Sequence, residues 1–206
     1  EIMGYLVSGD TSYEKIFLLV GQPRSGKGVL AHIISSLIGS SNVVSTYLKR
    51  LSEPYGENCL VSKSVALFPD AHLSDRADGS NVAEVLKSIS GGDNRSIPRK
   101  YKDDIEGHIR SRFVIMGNTT PDISDPSGAL ASRLITLSMN NSFLGQEDIH
   151  LKSKLDDELS GILNWCIDGL DRLRERGHFV QPSEGERVKS LFEKSSSPIS
   201  AFISEC

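Results

Sequence analysis

The sequence predicts an α/β fold, a parallel sheet covered by helices on both faces, and three features predict it. Short apolar runs recur without polar alternation, as strands buried on both faces require. Stretches with apolar residues at helical spacing lie between them. A glycine-rich turn joins the first run to the first helical stretch, as in a parallel β–α unit. At 206 residues and 38% hydrophobic content, the chain has the size for one such core with appended helices.

Taken in order, Ile16-Phe17-Leu18-Leu19-Val20 reads as the first strand, followed by the turn Gly21–Gly28. From Val29 to Ile38 the apolar residues keep one helical face, and Gly39 is a good stop. Val43–Ser45 is a short strand candidate, and Tyr47–Leu51 a short helix broken at Pro54. Ser64–Phe68 is a second buried strand ended by Pro69-Asp70, then a helix runs from about Asn81 to Ser88 and a turn spans Ser90–Asp93. Phe113–Met116 and Leu134–Leu137 complete the set of buried strands. Beyond Gln146 the pattern is helical, first Ile149–Leu159 and then Gly161–Arg176. In the second of these, Ile162, Leu163, Trp165, Cys166, Ile167, Leu170 and Leu173 are expected to form a buried face, with Trp165 in the core. The expected division is a nucleotide-binding core over 1–145 and a C-terminal helical segment over 146–206. Ser195-Ser196-Ser197-Pro198 reads as a hinge leading to a further domain, and a start on Glu1 in place of Met suggests a piece of a longer polypeptide.

The turn Gly21-Gln22-Pro23-Arg24-Ser25-Gly26-Lys27-Gly28 is a P-loop in its proper setting. Successive backbone N–H groups and the positive end of a helix dipole converge on one spot, which suits a triphosphate, and Lys27 can reach the β- and γ-phosphates. Gly21 to Val29 are therefore the candidate nucleotide-binding residues, with ATP and Mg²⁺ as the expected cofactors. The motif wants Ser or Thr after Gly-Lys to hold Mg²⁺, and Gly28 stands there.

Two residues follow buried strands at the end where open parallel sheets bind ligands. Asp70 is the candidate Walker B acid, acting on Mg²⁺ directly or through water. Ala71 stands where a water-polarising acid usually comes next, so Asp70 itself or Asp75 is the candidate base. Asn118 is placed to orient the attacking water. Arg133, in Gly128-Ala129-Leu130-Ala131-Ser132-Arg133 just before a strand, fits a finger offered to a neighbouring subunit's γ-phosphate.

Net charge is −4, a weak argument against a nucleic-acid binder, but its distribution is uneven. Between Lys87 and Arg112 seven basic residues (Lys87, Arg95, Arg99, Lys100, Lys102, Arg110 and Arg112) face four acids, a candidate footprint for a phosphate backbone. Cys59, Cys166 and Cys206 form no C-x-x-C pair, and no apolar run reaches the roughly 18 residues of a membrane span. A reduced, cytoplasmic protein without a metal-ligand cluster is expected.

In order and spacing, Lys87-Ser88-Ile89-Ser90-Gly91-Gly92-Asp93, Arg99-Lys100-Tyr101, Phe113–Asn118 with Pro121, and Ser127–Arg133 resemble the superfamily 3 helicases. The match is to the helicase part of phage and plasmid primase-helicases, related to the poxvirus nucleoside triphosphatase. Gly161–Trp165 and Gly169-Leu170 extend it, so that it covers roughly residues 13 to 203. The resemblance implies an AAA+-like core in a homo-oligomeric ring, usually a hexamer, that moves on a single DNA strand in its central channel by hydrolysing ATP at subunit interfaces. It implies replication proteins as partners and a bacterial host cytoplasm, with phage or prophage coding. Lys27 then matches the P-loop lysine, Asp70 the Walker B acid, Asn118 the sensor asparagine and Arg133 the arginine finger. Arg99, Lys100 and Tyr101 match the start of the hairpin that projects into the channel, where a lysine and an aromatic grip a backbone without reading sequence.

Two other readings compete. Gly28 and Ala71 also suit a catalytically weak nucleotide-binding ring or scaffold that loads replication partners on DNA. Nucleoside monophosphate kinases share the Gly-Lys-Gly of the loop, but Val29 replaces their Thr and no arginine-rich lid is evident.

Overall fold

The computed structural model describes residues 1–71 and 76–196. In chain order its elements are α1 (Ile2–Ser8), β1 (Ile16–Gly21), α2 (Lys27–Ile38), β2 (Val43–Ser45), β3 (Val65–Phe68), α3 (Arg76–Ser90), β4 (Asn94–Arg99), β5 (Lys102–His108), β6 (Arg112–Gly117), α4 (Ala129–Arg133), β7 (Leu134–Met139), α5 (Leu151–Asp157), α6 (Leu159–Arg176) and α7 (Ser183–Ser196). Short 3-10 turns at Leu48–Ser52 and Gly56–Leu60 fill the connection before β3.

Five parallel strands form the main sheet in the order β2-β3-β6-β1-β7. Helices cover both faces, as the unalternating apolar runs predict. Successive residues of β1 feed the two faces in turn. Ile16 and Leu18 pack with Phe113, Ile115, Val82 and Leu86, whereas Phe17 and Leu19 pack with Tyr5, Ile34 and Leu170. On the second face Tyr5, Tyr13, Phe17 and Phe179 meet edge to face, with ring centroids 5.4 to 5.9 Å apart.

Three sequence expectations change here. The first eight residues contain a helix that the pattern did not announce, and it lies on α6 at glycines: a Cβ on Gly4 would stand 2.1 Å from the Cys166 carbonyl oxygen, and one on Gly169 2.5 Å from the Glu1 nitrogen. The stripe that α6 buries is accordingly Cys166, Gly169, Leu170 and Leu173, spaced i, i+3, i+4, i+7. Trp165 is not in the core but 59% exposed, and Ile167 is exposed too, because each sits about 100° round the helix from Cys166. The apparent apolar face was wider than the contact it makes.

The second concerns the expected hairpin: it is β4 with β5, stands apart from the main sheet, and begins at Asn94, before Arg99. The third is α7, which packs beside the edge strand β7. The Gln181 side-chain amide accepts from the Thr136 N–H at 3.2 Å and donates to the Thr136 carbonyl at 3.4 Å, so it occupies edge groups that a further strand would use. Helices α5 and α6 pack on the core: His32 and Ser36 of α2 both bond Asp156 of α5. Asp75, and Ser197 and Pro198 of the expected hinge, lie outside the described residues. Among the described helices none is long and apolar enough to cross a membrane.

Candidate functional site

The glycine-rich loop leaves β1 at Gly21, where a Cβ would lie 2.2 Å from the Met139 carbonyl oxygen of β7. Only glycine allows that approach. Arg24 (φ 60°) and Gly26 (φ 94°) take left-handed conformations that turn the chain into α2. Among the described residues no backbone carbonyl takes the N–H groups of Arg24 to Gly28, and α2 begins at Lys27. The loop therefore offers a run of unused donors at a helix N-terminus, the chemistry of a phosphate cradle.

Lys27 Nζ donates to the carbonyls of Gly21 (2.7 Å) and Gln22 (2.8 Å) and to Ser25 Oγ (3.2 Å). Burial lowers its pKa. The segment after β7 braces the loop from outside, through Ser142 Oγ to the Pro23 carbonyl (2.8 Å), the Phe143 N–H to the Arg24 carbonyl (3.1 Å), and an Arg24–Glu147 ion pair at 3.4 Å. That bracing was not legible in the sequence. At Gly28 an added Cβ would meet nothing within 4 Å, so crowding does not explain the missing hydroxyl.

Parallel register brings Asp70 and Asn118 to the same end of the sheet. Val20 pairs with Gly117 and Phe68 with Ile115, which sets Asn118 one residue, and Asp70 two residues, beyond aligned strand ends. Both side chains are exposed. Ala71 is buried (6%), its N–H donating to the Met116 carbonyl at 2.9 Å, so position 71 faces the core and offers no place for a base. Asn118 follows the neighbouring strand at the same end of the sheet as Asp70.

Arg133 is at the other end. Leu134 pairs with Ile16, and Gly21 pairs with Met139. Five residue steps of strand, roughly 17 Å at about 3.3 Å per residue, separate Leu134, which follows Arg133, from the level of the loop. Its guanidinium donates to the Lys87 carbonyl, to Ser90 Oγ (3.3 Å) and to Glu14 (3.2 Å), and so caps the C-terminal end of α3. Asp125, 1% exposed, ties these parts together by accepting from Lys87 Nζ (2.9 Å), Ser127 Oγ (2.6 Å) and the Leu130 N–H (2.7 Å). Burial pushes its pKa up, but the bonds from Ser127, Lys87 and Leu130 outweigh this and hold the carboxyl below its usual value. Sequence reasoning passed over Asp125, whose only signal is the turn chemistry of Asp125-Pro126-Ser127-Gly128.

The fold consumes much of the basic patch. Lys87 is paired with Asp125, Arg95 with Glu57 (2.5 Å), and Arg112 is buried at 4% exposure with Nη2 on the Leu6 carbonyl (2.9 Å). Arg99 Nε bonds the Asp103 carbonyl at 2.8 Å. Lys100, Lys102 and Arg110 remain exposed. Arg99-Lys100-Tyr101 forms the tip of the hairpin, not its start: Arg99 pairs with Lys102, and Tyr101 turns the chain at φ 60°. Tyr101 is 92% exposed, with Lys100 Nζ 5.1 Å from its ring centroid. An aromatic ring held in water at a hairpin tip gains nothing for the fold.

Residues 19–133, more than half of the chain, match the Family of unknown function (DUF5906). Among solved structures the fold is similar to that of the apo NrS-1 C-terminal region, with a TM-score of 0.73 and 17% identity over 96% of this chain and 47% of that one. Another apo form of that region gives 0.66 at 16% identity, again over 96% and 47%. The JCV helicase matches at a TM-score of 0.52 and 15% identity, over 80% of this chain and 48% of that one. The chain thus spans about half the length of the solved chains it resembles, and the likeness is one of fold: a parallel α/β core of the P-loop kind shared with helicase structures.

Proposed function

The chain belongs to that family of unknown function, and we propose that it is the ATP-hydrolysing motor domain of a ring-forming DNA helicase of the superfamily 3 type, serving phage- or plasmid-type replication. One observation carries the reading: Lys27, Asp70 and Asn118 gather at the carboxyl end of the sheet, while Arg133 lies at its amino end, too far away to serve the same loop. A complete site then forms where the loop end of one subunit meets the Arg133 end of the next.

In this reading the free N–H groups from Arg24 to Gly28 and the Lys27 ammonium hold the phosphates of ATP. Asp70 is exposed and unpaired among the described residues, and the space over Gly28 is open, so the donor set fits a hydrated divalent cation. Mg²⁺, when bound with ATP, neutralises phosphate charge; Asp70 holds it, directly or through water. Asn118 orients the water that attacks, and Asp70, at the same end of the sheet, is the candidate to take its proton. Arg133 from the neighbour stabilises charge on the transferring phosphoryl group. Lys100 and Tyr101 contact the strand in the channel, one at a phosphate and the other against a sugar or base.

The buried Ala71 favours a second reading, a catalytically weak ring that binds nucleotide and loads partners on DNA. Phosphate release measured with and without single-stranded DNA separates the two. Turnover well above that of Lys27→Ala, and raised by DNA, is expected of the motor. Turnover indistinguishable from that variant leaves the scaffold.

A further inference from the structure

A second concave site lies at the base of the hairpin, away from the glycine-rich loop. It is a cleft of about 430 Å³ between the turn at Gly9, residues 61–64 and the stretch from Gly107 to Arg112. That volume is within the roughly 300–1,000 Å³ of small-molecule sites. Ile97 and Ile105 form one wall, and Lys63, His108, Arg110 and Arg112 supply basic groups around it.

Arg112 is the telling residue. The residue is 4% exposed, and its Nε is buried with no hydrogen-bond partner. Nη2 caps α1 at the Leu6 carbonyl, while Nη1 lies 3.7 Å from where a Cβ on Gly9 would stand, beside a residue that lines the cleft. A buried charged donor left short of acceptors costs free energy unless an acceptor completes it. Asp10 is near enough to act on it electrostatically, and its carboxylate accepts from the Ser12 N–H at 2.8 Å. Arg110, exposed and without an ion pair among the described residues, adds a second guanidinium. His108 spends Nδ1 on the Gly92 carbonyl (2.7 Å), which leaves its other ring nitrogen available, and Lys63 Nζ is held on the Ser41 carbonyl at 2.6 Å.

We propose that this cleft binds a nucleoside phosphate, with its phosphate taken by Arg112 and Arg110 and its apolar part set against Ile97 and Ile105. Two guanidiniums match the paired oxygens of a phosphate, and an isoleucine wall suits a flat, weakly polar body better than a bare inorganic anion. The ligand is either a free nucleotide or one unit of a nucleic-acid strand. The inference stands apart from the ATP site, because it uses none of its residues.

The experiment is a titration of the whole chain carrying Lys27→Ala, followed by amide NMR, with AMP and separately with a six-nucleotide thymidine strand. Shifts at Gly9, Ser62 and Gly107 are expected, and Arg110→Glu should abolish them or raise Kd at least fivefold. Thymidine strand binding tenfold tighter than AMP, with the same amides shifted, assigns the cleft to nucleic acid. AMP binding as tightly assigns it to a free nucleotide. Shifts confined to residues 21–28, or unchanged by Arg110→Glu, overturn the proposal. Arg112→Lys serves as a second variant: it retains charge but loses the planar fork, and binding unaffected by it also counts against the site.

Discussion

The two ends of β1 are built on opposite principles. At its carboxyl end, Asp70 and Asn118 are exposed, and the N–H groups of Arg24 to Gly28 have no backbone acceptor among the described residues. At its amino end, Arg133 has three acceptors and Asp125 three donors, so little is left unsatisfied. One end is ready for a ligand and the other is latched. Under the proposed function, a group that acts on a neighbour's ligand is held rigidly until it is used, whereas a group that meets its own ligand is served by open valence.

Breaking the latched end at Arg133 should have the largest effect. Arg133→Ala is expected to bind ATP yet hydrolyse it about 10³- to 10⁵-fold more slowly. Mixing it with Lys27→Ala subunits should restore part of the phosphate release, since one interface then holds an intact lysine and an intact arginine. No rescue in demonstrated mixed rings reduces Arg133 to its capping role.

Asp125→Ala comes next, at about 3–5 kcal/mol of stability in urea unfolding, because it leaves Lys87 and the Leu130 N–H without their buried partner. The pH dependence has a fixed sign. The folded-state pKa of Asp125 is lowered, so its contribution is present above the ordinary carboxylate value and is lost as pH falls through the folded value. The difference in stability between the natural chain and Asp125→Ala should narrow below about pH 4; a constant difference down to pH 2 contradicts this.

Lys100→Ala tests the hairpin tip. DNA affinity should fall about equally across sequences, and the slope of log K against log salt should flatten by about 1. An unchanged slope removes Lys100 from the DNA path.

The smallest effect is expected at the open end. Gly28→Ser has room for its side chain and puts a better helix former in the first turn of α2, so stability should rise by roughly 0.5 kcal/mol with ATP binding kept. A loss of binding would mean that the space above position 28 is itself needed by the nucleotide.

The open end was legible in the sequence and the latched end was not, for a physical reason. The strand–loop–helix turn depends on local backbone geometry, and Gly21, Gly26 and Lys27 write that geometry within a few residues. The strands were equally plain, since Ile16–Val20 and Phe113–Met116 are apolar at every position. The latch is assembled from Glu14, Lys87, Asp125 and Arg133, which no local pattern connects. The same gap misled the reading of the basic patch: Arg95, Lys87 and Arg112 count as free charge in sequence and are consumed by distant partners in the fold. Trp165 failed differently. Helical spacing shows which residues share a side, but the width of the buried stripe is set by the partner, here a helix that crosses at glycines.

That exposed tryptophan makes the chain its own fluorescent reporter. Trp165 is the single tryptophan in the sequence and stands in water on α6. Its emission should be red-shifted in the isolated chain, and any subunit or partner that covers α6 should move it to shorter wavelength, a label-free signal for assembly at that surface.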